Sequence, residues 1–324
     1  MAENYGLPYT GSKSKIAHWV IDNLPRGRVL IDAFAGGCAI THRALLSQKW
    51  QTIIANDINR KYPQLFLDAV RGKYRDEKRW ISREDFERLK SQDAFVACCW
   101  SFGNNLRDYT YSRRIEPYKR ALHYAIVLDD FEPMQELMPE VAQAVHEAIH
   151  WIRNTHDRRI TAQNVIVKTL KRLTGDNYAH QSIQSNPLYR SIRHSDKDAH
   201  RLQSLQRLER LQKLQSLKSL EALEHLRVTS LSYDEIDIPD DAVVYCDPPY
   251  HACRGHLYEG TADAFDHCTF YDWCVRVSKT NPIFISEYSI DDDRFEIVAE
   301  KQKMTCLSQV KSFNVTERLY TVKK

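Results

Sequence analysis

Two short apolar runs, each ending near an acidic residue and joined through a glycine turn and a helix, constrain the fold most strongly. The first, RVLIDAF at 28–34, holds Asp32 and leads through Gly36 and Gly37 into CAITHRALLSQ. The second, QTIIANDIN at 51–59, carries Asp57 near its end. The order strand, turn, helix, strand predicts an α/β protein with a parallel, doubly wound sheet, in which ligands bind beyond the carboxyl ends of the strands.

Strand-like runs return late in the chain, after a long helical middle. The sequence predicts helices over 120–173 and further strands at 226–233, 242–246, 282–288 and 317–322. A chain of 324 residues is long enough for one large domain that carries an insertion. We therefore predict that residues 1–90 and 227–324 form one domain, and that residues 91–226 are inserted into it.

Leucine recurs at every third position from Leu202 to Leu226, at the end of the predicted insertion. In an α-helix a three-residue step covers about 300°, so the leucines drift around the rod and one flat partner cannot cover them all. A 3₁₀ helix would align them, but such helices are short. The composition favours a helix packed on more than one side. A compact coil like that of leucine-rich repeats is the alternative.

The acids at the strand ends indicate a nucleoside cofactor. A glycine bend lets the backbone approach a ligand closely, and an acid at the next strand end can accept both hydroxyls of a ribose. The bend at Gly36 and Gly37 lacks the G-x-G-x-x-G spacing that cradles a pyrophosphate. An adenosine cofactor without phosphates fits this pattern better than a dinucleotide does, and S-adenosylmethionine is the predicted cofactor.

The stretch VVYCDPPY, at 243–250, follows a later predicted strand of the same sheet. Methylation of an exocyclic amine requires acceptors for its hydrogens, because its lone pair is conjugated into the ring. Asp247 and the carbonyl of Pro248 can accept these hydrogens, and Pro249 adds no donor of its own. Tyr250 offers a stacking face to a base that has left the duplex. A plain turn is the alternative interpretation of the Asp-Pro pair.

The basic residues are unevenly distributed along a chain whose net charge is only +3. Residues 151–219 hold fourteen Lys or Arg and five Asp or Glu. Such clustering is typical of a segment that faces phosphates, although a solvated helical surface explains it equally well.

The stretch CCWSFGNNLRDYTYSRRIEPYKR, at 98–120, interleaves cations, amides and aromatic rings, as surfaces that contact base edges do. A charged loop beside a helix is the alternative. The predicted DNA-binding residues are Asn104, Asn105, Arg107, Tyr109, Arg113, Arg114, Lys119 and Arg120.

Two further patterns limit the class of protein. No window of 18 apolar residues occurs, and MAENYGLPYTGSKSK lacks the layout of a signal peptide, so we expect a cytoplasmic protein with no membrane partner. The cysteines contain no C-x-x-C pair, which favours reduced thiols. His251, Cys253 and His256 match no usual metal spacing, and we predict no metal site.

Three motifs together resemble the Dam-type adenine-N6 DNA methyltransferases, the D12 class: DPPY after a strand, DAFAGG at the first strand end and NDIN at the second. The opening LPYTGSKSKIA is similar to that family's N-terminal motif, with Lys13 at the position of its lysine. The resemblance covers about residues 5–70 and 226–324. Two departures stand out: Cys38 occupies the place of the family's last glycine, and the leucine triplets do not match the Dam recognition domain.

The resemblance implies a Rossmann-like, S-adenosylmethionine-dependent methyltransferase sheet split by a mostly helical target-recognition insertion. It implies transfer of a methyl group to N6 of a flipped-out adenine in double-stranded DNA. The enzyme would be a monomer or weak homodimer of a phage or of a restriction-modification system, in the cytoplasm of a bacterial or phage-infected host cell. Asp247, Pro248, Pro249 and Tyr250 are the implied catalytic residues. The implied cofactor-binding residues are Tyr9, Lys13, Asp32, Phe34, Ala35, Gly36, Gly37, Asp57, Ile58, Ser232, Tyr233 and Asp247. An inert DNA-binding module and an N4-cytosine methyltransferase stay open as alternatives.

Overall fold

The computed structural model describes residues 4–174, 202–250, 265–308 and 311–324. It divides the chain into two compact units, one formed by 1–75 and 211–324 and the other by 76–210. The predicted boundaries lay at 91 and 226. The functional division into a catalytic domain and a target-recognition insertion remains a prediction.

The first unit is built on a mixed seven-stranded sheet. Its strands are β1 (Val29–Asp32), β2 (Thr52–Asn56), β3 (Leu226–Thr229), β4 (Val243–Cys246), β5 (Ile283–Glu287), β6 (Phe295–Ser308) and β7 (Lys311–Val322). They lie in the order β3-β2-β1-β4-β5-β7-β6. The first five strands in this order are parallel to their neighbours, and β7 pairs antiparallel with β5 and β6.

The predicted parallel sheet is confirmed in these central strands. Every residue of β1 and β4 is buried, as expected for strands that are covered on both faces. The strand β6 was not predicted, because its residues include many charged side chains and do not form an apolar run.

Helices of the first unit connect and cover the strands. They are α1 (Ala17–Asn23), α2 (Ala39–Ser47), α3 (Lys61–Val70) and, late in the chain, α11 (His267–Val277). Asp266 starts α11 by accepting hydrogen bonds from the backbone N–H groups of Cys268 and Thr269. One face of the sheet forms a core with α11 through Ile31, Val244, Cys246, Ile283, Ile285, Phe270, Trp273 and Cys274.

The second unit is helical in the part that the structure describes. It contains α4 (Arg83–Leu89), α5 (Ala94–Trp100), α6 (Glu116–His123), α7 (Glu132–Leu137), α8 (Pro139–Ile149) and α9 (Thr155–Thr174), with a π-helical turn at Tyr124–Leu128. The prediction of helices over 120–173 is thereby confirmed, with interruptions at the short loops. Among the described residues, no helix has both the length and the apolar content to span a bilayer.

The first half of the leucine repeat forms an α-helix as predicted, and the second half forms short 3₁₀ helices that lead into β3. Residues Gln203–Lys213 are an α-helix, α10, and Leu214–Ser219 continue as a 3₁₀ helix. All six leucines from Leu202 to Leu217 in this repeat are buried. A stripe that drifts around an α-helix is buried only when the helix is covered on more than one side, as the sequence predicts. In the 3₁₀ helix, residues three apart lie on the same face, so Leu214 and Leu217 are buried on one side of it.

Candidate active site

Three acidic residues meet at one edge of the sheet. Asp32 ends β1, Asp57 follows β2 directly, and Asp247 follows β4 directly. These strands are parallel neighbours, with β1 in the middle, so their carboxyl ends share one edge. The chain leaves β1 toward β2 on one side and reaches β4 on the other, which makes this edge a topological switch point.

Asp32 holds the start of α2. Its Oδ2 accepts hydrogen bonds from the Thr41 backbone nitrogen at 3.1 Å and from the Thr41 hydroxyl at 2.7 Å. The side chain is buried, and this burial raises the pKa of Asp32 to about 7, against the opposing effect of the Thr41 hydrogen bonds. We therefore withdraw Asp32 from the predicted cofactor-binding residues and assign it a structural role.

The raised pKa of Asp32 gives a testable pH dependence. Between its ordinary pKa of 3.8 and about 7, the unfolded chain loses this proton while the folded protein keeps it. The free energy of unfolding should therefore fall as pH rises through this window, by about 2–4 kcal/mol from this group alone. Asp32→Asn keeps an acceptor for Thr41 and should flatten the dependence, as measured by denaturant unfolding at pH 4.5–7.5. Equal slopes for Asp32→Asn and an exposed control, Asp240→Asn, would contradict this role.

A hydrogen bond joins the glycine bend, Gly36 and Gly37, to the carboxylate of Asp57. The Gly36 backbone nitrogen donates to Asp57 Oδ2 at 2.8 Å, and the Asn59 backbone nitrogen donates to Asp57 Oδ1 at 2.8 Å. Burial raises the pKa of Asp57, and these two backbone donors oppose the rise. A Cβ at Gly37 would lie 2.7 Å from Cβ of Tyr9, so no side chain fits there.

Two neighbours of the bend explain local features of the sequence. Cys38 has a φ of 56°, a left-handed conformation, and donates its backbone N–H to the Ala35 carbonyl at 2.6 Å. The family's glycine is thus replaced by a small buried side chain that keeps the bend. Tyr9 packs edge-on against Tyr62, with ring centroids 4.9 Å apart.

Aromatic rings lie beside the bend. Phe34 stacks on Tyr233 with centroids 5.8 Å apart and an interplanar angle of 28°, and Phe265 and Phe270 pack edge-on against it. Ser232 begins the short turn that carries Tyr233, through a capping box with Glu235. Ile58, directly after Asp57, is 68% exposed.

Asn56, which the sequence analysis missed, ties the strand ends together. Its amide nitrogen donates to the carbonyls of Ala33 and Leu231, each at 3.0 Å. Its amide oxygen accepts from the Thr229 hydroxyl at 2.8 Å and the Leu231 backbone nitrogen at 3.0 Å. The only signal in the sequence was a polar residue before Asp57 in an apolar run.

Asp247 is paired with a buried lysine. Lys13 Nζ lies 2.6 Å from Asp247 Oδ1 and 2.8 Å from Oδ2. Lys13 lies in a 3₁₀ turn, Lys13–Lys15, that Ser12 caps. Its ammonium also lies 4.6 Å from the centroid of the Tyr250 ring. Lys13 was predicted to hold the cofactor, which remains a prediction, and the structure places its ammonium against Asp247, the acid of DPPY.

The rest of the DPPY segment is closely packed. Pro248 is buried, and Pro249 and Tyr250 are half-buried. The Tyr250 hydroxyl donates to Glu317 Oε1, and its ring packs edge-on against Tyr288 at 4.7 Å. Glu317 is fully buried in β7, and Lys13 Nζ lies 3.8 Å from its Oε1. Glu317 and Tyr288 were missed, although an acid at the start of the apolar run ERLYTV was a visible signal.

The predicted DNA-binding stretch begins at the end of α5 and ends in α6, and its residues 102–108 form an exposed loop on the second unit. Ser101 and Tyr109 pair across its base, and Gly103, Asn104 and Leu106 all have positive φ. The Asn105 side-chain oxygen accepts from the backbone nitrogens of Arg107 and Asp108 at 3.0 and 2.9 Å, so this amide shapes the loop. The predicted arginines are exposed: Arg107, Arg113, Arg114 and Arg120.

Two predicted DNA contacts are internal and are corrected here. The Tyr109 hydroxyl donates to the Ile81 carbonyl at 2.8 Å, and the Arg83 guanidinium covers its ring at 4.7 Å. Lys119 is 1% exposed, and its ammonium lies 5.8 Å from the centroid of the Tyr111 ring. Both side chains are buried, so neither is exposed for a contact with DNA.

Several cations of the basic segment 151–219 are engaged in contacts within the protein and are therefore not available to bind phosphates. Arg159 pairs with Glu209 at 2.6 Å, Arg158 pairs with Asp129, and Arg207 donates to the carbonyls of Cys99 and Ser101. Burial lowers the pKa of Arg210 to about 10. Among the side chains that the structure describes in this segment, the exposed cations are Arg153, Lys168, Arg172, Lys213 and Lys218. Arg190, Arg193, Lys197 and Arg201 lie outside the described residues, as do His251, Cys253 and His256.

A protein-family model matches part of the chain. Residues 9–129 match the model of the D12 class N6 adenine-specific DNA methyltransferases, a stretch that holds Tyr9, Lys13, the glycine bend and Asp57. No curated protein gives a significant match. Over residues 9–129 the chain is therefore similar to the D12 class N6 adenine-specific DNA methyltransferase family, and this matched stretch includes the DAFAGG and NDIN motifs.

Proposed function

We propose that this protein transfers a methyl group from S-adenosylmethionine to N6 of an adenine that has left the DNA duplex. The observation that carries the proposal is the position of Asp247. It follows β4 at the edge of the sheet where Asp57 and the glycine bend also lie, with Tyr250 three residues beyond it. The family match supports DNA and adenine as the substrate class.

The residues at the glycine bend fit S-adenosylmethionine. Gly37 is buried against Tyr9 and leaves no room for a side chain, and Gly36 beside it is half-buried, so its backbone is partly open to a ligand. Each oxygen of Asp57 accepts one backbone hydrogen bond and keeps a second lone pair for a ribose hydroxyl. Ile58, Phe34 and Tyr233 offer apolar surface beside it. The bound cofactor supplies an electrophilic methyl group carried on a sulfonium.

Asp247 prepares the amine for attack. The lone pair of the adenine amino group is conjugated into the ring, and hydrogen bonds from both of its hydrogens to acceptors localise that pair on nitrogen. Asp247 accepts one hydrogen, and the Pro248 carbonyl accepts the other. The Lys13 ammonium uses part of the carboxylate, but each oxygen has a further lone pair. Acceptors placed in advance lower the barrier because they need no reorganisation during the reaction.

Tyr250 receives the base. Extruding a nucleotide costs a few kcal/mol, and stacking on an aromatic face returns about 1–3 kcal/mol. Burial and the nearby carboxylates of Asp247 and Glu317 raise the pKa of Tyr250, so the hydroxyl stays protonated and remains a donor to Glu317. The ring orientation is therefore set by contacts on the protein side.

We expect Arg107 to read the target sequence, since it is exposed on the loop that Asn105 shapes. Arg107→Ala should cost about 1–3 kcal/mol in binding the preferred site and relax discrimination at one base position.

Exposed Lys168 and Arg172, changed to Gln, should weaken binding to all duplexes and reduce the slope of binding affinity against salt concentration by about one per lost phosphate contact. Methylation mapping and binding at several salt concentrations measure both effects.

An arginine outside the loop serves as the control for Arg107. Arg88 is exposed on α4 and pairs with Asp85, and Arg88→Ala should change neither the methylated motif nor the salt slope. If the Lys168 and Arg172 variant alters the motif while Arg107→Ala leaves it untouched, recognition lies in the helical part of the second unit and not in this loop.

Product analysis tests the proposed function. Purified protein is incubated with S-adenosylmethionine labelled on the methyl carbon and with mixed-sequence duplex DNA, and the DNA is digested to nucleosides. We expect the label in N6-methyladenine. Label in N4-methylcytosine would assign the alternative reaction, and unlabelled DNA that is nevertheless bound would assign an inert DNA-binding module.

A further inference from the structure

Glu317 lies next to the DPPY segment, and the proposed methyl transfer gives it no role. It lies in β7, far along the chain from DPPY, and its side chain is 0% exposed. A buried carboxylate is costly unless cations and hydrogen-bond donors face it. Two such groups meet at Glu317 Oε1: the Tyr250 hydroxyl, which donates to it, and the Lys13 ammonium at 3.8 Å.

The contacts of Glu317 link it to both functional residues of DPPY, directly to Tyr250 and through Lys13 to Asp247. Tyr250 is fixed at its hydroxyl by Glu317 and at its ring edge by Tyr288, whose centroid is 4.7 Å away. Lys13 lies between two carboxylates, at 2.6 Å from Asp247 and 3.8 Å from Glu317. Because the Lys13 ammonium interacts with two carboxylates, its electrostatic interaction with Asp247 alone is weaker. Asp247 therefore remains a stronger hydrogen-bond acceptor for an incoming amine.

We propose that Glu317 is a positioning residue for methyl transfer, which orients the Tyr250 ring through its hydroxyl and holds Lys13 beside Asp247. This inference rests on the proposed function, since it gives a role to a residue that does not itself touch the base or the cofactor. It explains why a buried acid is placed on β7, next to DPPY.

Three variants separate the two contacts. Glu317→Gln keeps the volume and an acceptor for Tyr250 but removes the charge that faces Lys13, and we expect kcat to fall about 3- to 10-fold. Glu317→Ala removes both contacts, with an expected loss of about 10- to 100-fold. Tyr250→Phe removes the hydroxyl from the other side, with an expected loss of about 3- to 10-fold in the wild-type background. The dissociation constant for S-adenosylmethionine should stay within about 2-fold in all three, because the contacts lie on the DPPY side.

The double variant decides whether Glu317 acts through Tyr250. If it does, Tyr250→Phe should cost little further activity in the Glu317→Ala background, because the contact is already lost. Equal losses from Tyr250→Phe in both backgrounds, or a normal kcat for Glu317→Ala, would overturn the proposal. Glu296→Gln, an exposed acid on β6, is the matched control and should have wild-type kcat.

A measurement on the contact itself keeps this test separate from the proposed function. In protein labelled at the tyrosine Cζ carbon, the Tyr250 signal is assigned from Tyr250→Phe. We expect it to shift in Glu317→Ala and to move less in Glu317→Gln, which also serves if the alanine variant does not fold. An unchanged signal in both variants would remove the contact and the proposal with it. A shifted signal in a protein that methylates no DNA would instead remove the proposed function and, with it, the role of Glu317.

Discussion

Replacement of Asp247 by alanine should lower the rate of methyl transfer by about 10²–10⁴-fold, because it removes the acceptor that localises the lone pair of the target amine. Binding of DNA and of S-adenosylmethionine should stay largely intact, since the glycine bend, Asp57 and the exposed loop are unchanged. Single-turnover methylation with saturating DNA and cofactor measures this effect, together with separate binding titrations.

Two further variants show whether the loss is chemical. Asp247→Asn keeps the size of the side chain and one acceptor oxygen, so its loss should be smaller than that of Asp247→Ala. Asp240 is exposed in the turn before β4, and Asp240→Ala should have the wild-type rate. If Asp247→Ala still methylates DNA at close to the wild-type rate, DPPY is not the reacting site.

Replacement of Asp57 by alanine should weaken binding of S-adenosylmethionine by about 1.5–3 kcal/mol, since two ribose hydroxyls lose a charged acceptor. The structure adds a second reason for a large effect. The same carboxylate accepts hydrogen bonds from the backbone of Gly36 and Asn59, so its loss also frees the glycine bend. Isothermal titration calorimetry with the cofactor measures the change.

The direction of the pH dependence gives a further check on Asp57. Burial raises its pKa, and a protonated carboxyl is a weaker acceptor for ribose hydroxyls. Cofactor affinity should therefore fall as pH is lowered toward that raised pKa, and Asp57→Ala should lack this part of the dependence. Asp22→Ala, at an exposed position on α1, is the control. An unchanged affinity in Asp57→Ala would remove Asp57 from the cofactor site.

Local patterns in the sequence predicted the strands that position the site, because short apolar runs rich in β-branched residues and bounded by turn residues favour buried strands. The ends of β1, β2 and β4 lie where the acids indicated, and their parallel pairing brings Asp57 and Asp247 to one edge. The leucine repeat was also informative, because a helix with a drifting stripe must be covered on several sides. These conclusions needed only neighbours along the chain.

Contacts between distant segments were the part that could not be predicted. Lys13 and Glu317 come from opposite ends of the chain, and only pairing of β7 with β5 brings Glu317 next to DPPY. Tyr109 and Lys119 looked like surface residues because tyrosine and lysine alternate with arginine there, but the packing of the second unit buries them. Composition alone does not distinguish a cation that binds phosphate from one that bonds to carbonyls, as Arg207 does.

The most direct test is to map modified bases at single-base resolution in genomic DNA from cells that express either this protein or its Asp247→Ala variant. We expect N6-methyladenine at one defined sequence motif in the first DNA and at background level in the second, with both proteins present in equal amounts. N6-methyladenine that persists with Asp247→Ala, or a wild-type protein that leaves adenine unmodified, would contradict methyl transfer to adenine at DPPY.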